Sequence, residues 1–225
     1  MTGTMAKKPH RTPVPGPPFI RLLAALADRA APRTGPDLSD RLSQWIDWTR
    51  AVALSRALDG RLPAPADDAP SAVDGLALEC ERVRATLVET INQPTPAGKP
   101  VPVDAIAYRQ RCLNVQRAML TATGRLRGLL RDQLAAGPGE LPRLAEVDAV
   151  MEQALSPREQ QLLASVPALL GAHFERLRED SGSSDVDPDS AWLQIFRKDM
   201  QAVLLAELDV RFHPIEGLLA ALRPH

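Results

Sequence analysis

Four arginines on one predicted helix are the residues of this sequence best suited to bind a charged ligand. The segment Lys99–Arg131 carries seven basic side chains and one acidic side chain, Asp104. At 100° per residue on a helix, four of these arginines fall within about 80° of one another. Such a row could neutralise several phosphates, or bind acidic side chains through paired hydrogen bonds. The four residues are Arg109, Arg117, Arg127 and Arg131.

This arginine row leaves three interpretations open: a face that is solvated or paired within the fold, a docking surface for a protein, or a nucleic-acid surface. Residues 99–139 carry a net charge of +5 and residues 140–190 a net charge of −7, so the acidic segment could cover the row. Nucleic acid is the less favoured partner, because the sequence pI is 6.4. That face also has no aromatic side chain on which a base could stack.

Two tryptophans complete the predicted partner-binding set. Trp45 and Trp48 are three residues apart in a predicted helix over 37–58 that Asp37 would cap, so they share a face one turn apart. We expect them to anchor the core. If one of them is exposed, it is a natural interface hot spot, because Trp removes much apolar area from water.

Composition predicts an all-α fold. Hydrophobic residues make up 44% of the chain but aromatic residues only 4%, so the core should consist mainly of Leu, Ala and Val, which favours helices. We predict an antiparallel helical bundle of four or more long helices with short accessory helices. A disordered Pro-rich tail (1–18) precedes a single helical domain (19–225). Further helices are predicted over 19–30, 71–91, 103–136, 143–155, 156–179, 187–212 and 215–222.

The helix over 103–136 has the clearest apolar seam. Its steps of three and four residues are those of a helix packed on another at a shallow angle. The seam residues are Ala105, Tyr108, Cys112, Val115, Met119, Ala122, Leu126 and Leu129.

The chain carries none of the common catalytic or cofactor motifs. It has no GxSxG, GxxxxGK[ST], HExxH or GxGxxG sequence. We expect Cys80 and Cys112 to be buried thiols and His173 to be a hydrogen-bonded core residue, and we predict no enzyme activity, metal or cofactor. An enzyme with a site assembled from distant residues would need a deep polar pocket with perturbed titratable groups.

The predicted location is the cytoplasm. No window reaches 18 apolar residues, which predicts that the chain does not span a membrane, and no signal peptide is visible. Two cysteines 32 residues apart, outside any CxxC motif, are typical of reduced thiols.

A stretch of about 40 residues near the N-terminus, within 19–58, resembles a known family. The runs FIRLLAALAD (19–28) and LSDRLSQWIDWTRAVALSRAL (38–58) are similar to the N-terminal signature of a proteobacterial family, domain of unknown function 3348. Arg50 departs from an acidic position of that signature. The matching residues are Arg41, Leu42, Gln44, Trp45, Asp47, Trp48, Thr49, Leu54, Ser55, Ala57 and Leu58.

The resemblance implies a setting rather than a mechanism. The family has no assigned activity, and its genes tend to lie near those of a stator-like membrane motor, in clusters that resemble Zorya-type anti-phage systems. We therefore expect a non-enzymatic cytoplasmic interaction protein, an accessory or effector subunit of such a system with a protein partner. The alternative is a nucleic-acid-binding effector that uses the arginine-rich helix 104–136.

Overall fold

The computed structural model describes residues 17–27, 45–60, 73–93, 105–182 and 190–223. Across these ranges the secondary structure is helical, with no strand, which confirms the predicted all-α fold. The Pro-rich tail up to residue 16 and the cap residue Asp37 lie outside the described residues. The helices are α1 (Pro18–Leu26), α2 (Trp48–Asp59), α3 (Val73–Asn92), α4 (Ala105–Ala135), α5 (Leu141–Leu163), α6 (Val166–Asp180) and α7 (Ala191–Leu222).

Helices α4 and α7, of 31 and 32 residues, form the centre of the bundle. Helix α3 packs on both of them, α5 lies along α4, and α6 contacts both α4 and α7. Helix α1 covers α6 and α7, whereas α2 packs on α5 at the periphery. Ion pairs and hydrogen bonds between α4 and its two neighbours run in opposite residue order, so α3 and α5 are both antiparallel to α4.

The predicted seam of α4 is buried or packed against the core up to Leu126, with Ala105 and Ala122 only partly buried, and it then shifts by one residue. Tyr108, Cys112 and Met119 are buried, but the last predicted seam residue, Leu129, is exposed, and Leu130 is buried in its place. A straight helix has 3.6 residues per turn, so its buried face drifts away from a strict seven-residue repeat. The prediction failed where this drift had accumulated.

Aromatic side chains gather at one end of the core despite their scarcity. Phe174 of α6 lies 5.2 Å from Trp192 and 5.1 Å from Phe196, ring centre to ring centre, in edge-on arrangements. Tyr108 contacts Phe196 at 5.0 Å and accepts a hydrogen bond from Arg197. The core is thus not only Leu, Ala and Val, and this cluster joins α4, α6 and α7.

Two prolines that were predicted to interrupt helices lie inside them. Helix α5 continues through Pro157, where a helix start was predicted at Ser156, and α7 continues through Pro214. An interior proline costs about 3 kcal/mol. Buried apolar residues follow each proline, Leu163 after Pro157 and Ile215 after Pro214, and their burial offsets that cost.

Pro167 marks a helix boundary where only a bend was predicted. Helix α5 ends at Leu163 and α6 begins at Val166, with Pro167 in its first turn. Proline suits that position because the first amides of a helix have no partner within it. The predicted helix over 156–179 is therefore divided between two helices.

Candidate partner-binding face of helix α4

The C-terminal half of the predicted arginine row is covered by helix α5. Arg127 donates two hydrogen bonds to the carboxylate of Asp148, at 2.8 and 2.7 Å, and Arg131 is paired with Glu152. Arg127 also lies 3.6 Å from Glu152, and Arg131 lies 3.5 Å from Asp148. The four side chains therefore form one cluster. These arginines are satisfied within the fold, as the charge contrast between residues 99–139 and 140–190 had suggested.

The interaction of Arg127 with Asp148 and Glu152 outweighs the desolvation of its guanidinium group. Burial acts to lower the pKa of Arg127, but the hydrogen bond and charge of Asp148, with the charge of Glu152, raise its pKa overall. The side chains of Arg127 and Asp148 are only 15% and 11% exposed. A partner could reach these arginines only by displacing α5.

The N-terminal half of the row remains open. Arg109 and Arg117 are exposed, and neither forms an ion pair with another described residue. Leu113 lies between them and Leu120 follows one turn later, and both are exposed although apolar. We call Arg109, Leu113, Arg117 and Leu120 the α4 stripe. It combines two available guanidinium groups with two leucines on one side of the helix.

Beyond the stripe, α4 has room for a close neighbour. Gly124 and Gly128 follow Leu120 at four-residue spacing. A Cβ atom built on either glycine would meet nothing within 4 Å. Each glycine weakens the helix by about 1 kcal/mol relative to Ala. No described part of the chain makes the close approach that a glycine pair on a helix permits.

The two tryptophans do not share a helical face. Helix α2 begins at Trp48, because the Asp47 carboxylate accepts a hydrogen bond from the Arg50 amide at 2.8 Å and caps the helix. The prediction of one helix over 37–58 is therefore wrong at 46–47. Trp48 is 83% exposed rather than a core anchor, whereas Trp45 is partly buried. Among the described side chains, Trp48 is thus a prominent apolar group open to a partner.

A buried polar group that was not predicted from the sequence lies at the centre of the bundle. Glu207 of α7 is fully buried and accepts hydrogen bonds from Arg211 at 3.0 and 2.8 Å. The Gln116 amide of α4 donates to Glu207 at 2.9 Å and to the Leu163 carbonyl at 3.1 Å. Pro167 has no N–H to offer that carbonyl, so Gln116 replaces the missing intrahelical donor. The signal available was a Glu–Arg pair four residues apart inside an apolar run.

The cysteines and His173 lie where they were expected. Burial, together with the charge of Glu207, raises the pKa of the Cys112 thiol to about 12. Burial and the neighbouring glutamates also raise the pKa of Cys80. His173 contacts Asp199 at 2.8 Å between Nε2 and Oδ2. The described residues contain no group of three or more His, Cys, Asp or Glu side chains that could hold a metal ion.

A small pocket of about 200 Å³ lies where the start of α1 meets α3 and α7. Its polar lining includes Arg84, Asp209, His213 and Glu216. Arg84 donates to both carboxylates, at 2.6 Å to Asp209 and 2.5 Å to Glu216. Arg84 and the two carboxylates therefore bind one another and fasten α3 to α7.

Comparison with known proteins assigns the chain to a family. No curated protein and no solved structure matches it significantly. None of the helices in the described ranges is long and apolar enough to cross a membrane. The family model described as a protein of unknown function, DUF3348, matches residues 5–224, so the chain belongs to the DUF3348 family.

Proposed function

We propose that this protein is a non-enzymatic interaction module that docks a protein partner through the α4 stripe. The observation that carries the proposal is the division of the arginine row. Arg127 and Arg131 are bound by α5, whereas Arg109 and Arg117 are exposed beside Leu113 and Leu120. Charged side chains interleaved with exposed leucines suit a protein surface, because the leucines lose contact with water only against another apolar surface.

Nucleic acid is the weaker candidate on the same observation. Four arginines on phosphates would give a slope of log affinity against log salt of about −3.6, but the two open arginines give only about −1.8. Leu113 separates these arginines and Leu120 follows them, and neither leucine gains anything from facing phosphates. The open half of the row can therefore neutralise only about two phosphates, fewer than the whole row would.

The proposed setting follows from the resemblance of the N-terminal segment. We propose a cytoplasmic accessory or effector subunit of a proteobacterial Zorya-type system, with components of the stator-like membrane motor as candidate partners. Trp48 lies within the segment that carries the resemblance and is 83% exposed, so it is a candidate second contact. Its large ring offers apolar area that the two leucines alone do not.

Affinity capture with mass spectrometry tests the proposal. The tagged chain is compared with the double variant Arg109→Glu/Arg117→Glu in the cell that naturally makes it. The matched control is Arg82→Glu/Lys198→Glu, which changes the charge equally at exposed residues of α3 and α7. We expect a specific protein partner to be captured by the wild type and the control, and to be lost from the stripe variant.

Two results would contradict the proposal. If the wild type retains no protein above the background of an unrelated tagged chain, it is not an interaction module under those conditions of expression. If the stripe variant retains every partner, the docking surface lies elsewhere on the molecule.

A further inference from the structure

Helix α5 shows how this protein binds an acidic helix. It lies antiparallel along the C-terminal half of α4 and presents Asp148 and Glu152, one turn apart, to Arg127 and Arg131, also one turn apart. Both carboxylates contact both arginines within 4 Å. Spacing of four residues on each helix therefore matches carboxylates to guanidinium groups.

Helix α5 ends level with Gln116, and none of its carboxylates forms an ion pair with Arg117 or Arg109 among the described residues; Glu159, near its end, contacts Arg211 instead. The last residue of α5, Leu163, receives a hydrogen bond from Gln116, and the chain then turns into α6. The α4 stripe starts on the same side of α4, beginning at Arg109. On a helical wheel, Arg109 and Arg127 have the same angular position, because 18 residues make five full turns. Arg127 and Arg131 are thus paired with carboxylates of α5, whereas Arg109 and Arg117 have no such partner among the described residues.

The stripe also has the spacing of a helix-packing seam. Its steps are four, four and three residues, and Leu113 and Leu120 are seven residues apart. The four side chains fall within about 80° on the wheel and span about 17 Å, or three turns. Extension to Gly124 adds one turn with open space for a neighbouring backbone.

We propose that the partner contributes an acidic amphipathic helix, which lies along the α4 stripe beside the end of α5. This inference rests on the proposed function and names the recognised element. The partner helix places apolar side chains on Leu113 and Leu120, and Asp or Glu side chains one turn apart on Arg109 and Arg117. A second copy of the chain is disfavoured as the occupant, because two stripes would face one another with like charges.

Site-specific photocrosslinking tests the inference in the full-length chain. A benzophenone amino acid replaces Leu113 in one variant and Trp48 in a second, and the exposed Thr86 of α3 serves as the control position. Helix α3 meets α4 through Arg111 and Arg125, on a flank of α4 away from the stripe. We expect position 113 to crosslink a partner peptide that has net negative charge and apolar residues at three- and four-residue spacing, with no such product from position 86.

The outcomes separate the inference from the proposed function. A partner crosslinked from position 48 but not from position 113 leaves the interaction module standing and overturns the acidic-helix inference. A neutral or basic peptide, a nucleic acid or a second copy of this chain at position 113 also overturns it. No crosslink from position 48 or position 113 contradicts both.

A synthetic peptide of the crosslinked segment allows the affinity to be measured. Its dissociation constant is measured against the wild type, Arg109→Glu/Arg117→Glu and the control Arg82→Glu/Lys198→Glu. We expect the stripe variant to bind about tenfold or more weakly, because each reversal replaces an attraction with a repulsion. Equal weakening of the stripe variant and the control would mean that only overall charge matters, and would overturn the inference.

Discussion

Replacing Gln116 with leucine should destabilise the protein strongly, because this one amide group donates to both the Leu163 carbonyl and Glu207. The Gln116→Leu variant keeps a similar volume but removes both N–H donors. The Leu163 carbonyl then has no partner, because Pro167 cannot donate, and Glu207 loses one of its hydrogen bonds while Arg211 retains its own.

The magnitude follows from these two losses. A buried carbonyl left without a donor costs about 1–3 kcal/mol, and a hydrogen bond to a charged group is worth about 1.5–3 kcal/mol. Added apolar burial at the leucine returns about 1 kcal/mol. We therefore expect the free energy of unfolding to fall by about 1.5–5 kcal/mol, which is a large part of the stability of an ordinary domain.

Urea unfolding followed by far-ultraviolet circular dichroism measures this change. The matched control is Gln110→Leu on the same helix, where an exposed amide donates only to Asn114 and the expected change is within about 0.5 kcal/mol. If Gln116→Leu is no less stable than this control, the Leu163 carbonyl has another donor. The account of the boundary between α5 and α6 would then be wrong.

Four further predictions concern the charge cluster, a thiol and two exposed positions. Replacing Asp148 with Asn and Glu152 with Gln should lower the free energy of unfolding by about 2 kcal/mol, between the values for surface and buried pairs, since two arginines lose their counter-charges. Cys112 should resist iodoacetamide in the folded chain at pH 8. With a pKa raised to about 12, only about one thiol in ten thousand is ionised there, and ionisation grows only as the pH approaches 12. Gly124→Ala should raise the free energy of unfolding by about 1 kcal/mol and the melting temperature by about 2–4 °C, because a methyl group there meets open space. Trp48→Ala should change the free energy of unfolding by less than about 0.5 kcal/mol and remove a solvent-exposed component of the tryptophan fluorescence.

Each of these predictions has a clear contrary result. Unchanged stability of the Asp148/Glu152 double variant would mean that the cluster is worth no more than exposed ion pairs. Mass spectrometry showing rapid labelling of Cys112 in the folded chain would contradict its burial. A Gly124→Ala variant that melts lower would place another part of the chain against that glycine. A large loss of stability on removing Trp48 would make it a packing residue.

Strong periodicity between proline-rich breaks is what made two long helices predictable. Helices α3 and α4 were predicted over 71–91 and 103–136, and they lie at Val73–Asn92 and Ala105–Ala135. Prolines inside apolar patterns were not predictable in the same way. Proline is compatible with a helix start, a bend or a helix interior, and distant packing decides among these. Ile215 and Leu163 are buried against other helices, and no local pattern carries that information.

The candidate site was predictable in part for a related reason. Helical spacing placed four arginines on one side of α4, but which two are paired depends on where Asp148 and Glu152 of α5 lie along α4. The opposite charges of neighbouring segments gave a hint of this pairing. The Gln116–Glu207 contact joins residues 91 positions apart, so local spacing could not reveal it.

Side-chain footprinting of the complex would test the central claim most directly. Hydroxyl radicals oxidise exposed leucines, so Leu113 and Leu120 should be modified in the free chain and protected once the captured partner is bound. Leu78, exposed on α3, should be oxidised equally in both states and serves as the internal control. Protection elsewhere on the molecule, with Leu113 and Leu120 oxidised as in the free chain, would contradict the claim that the α4 stripe is the docking surface.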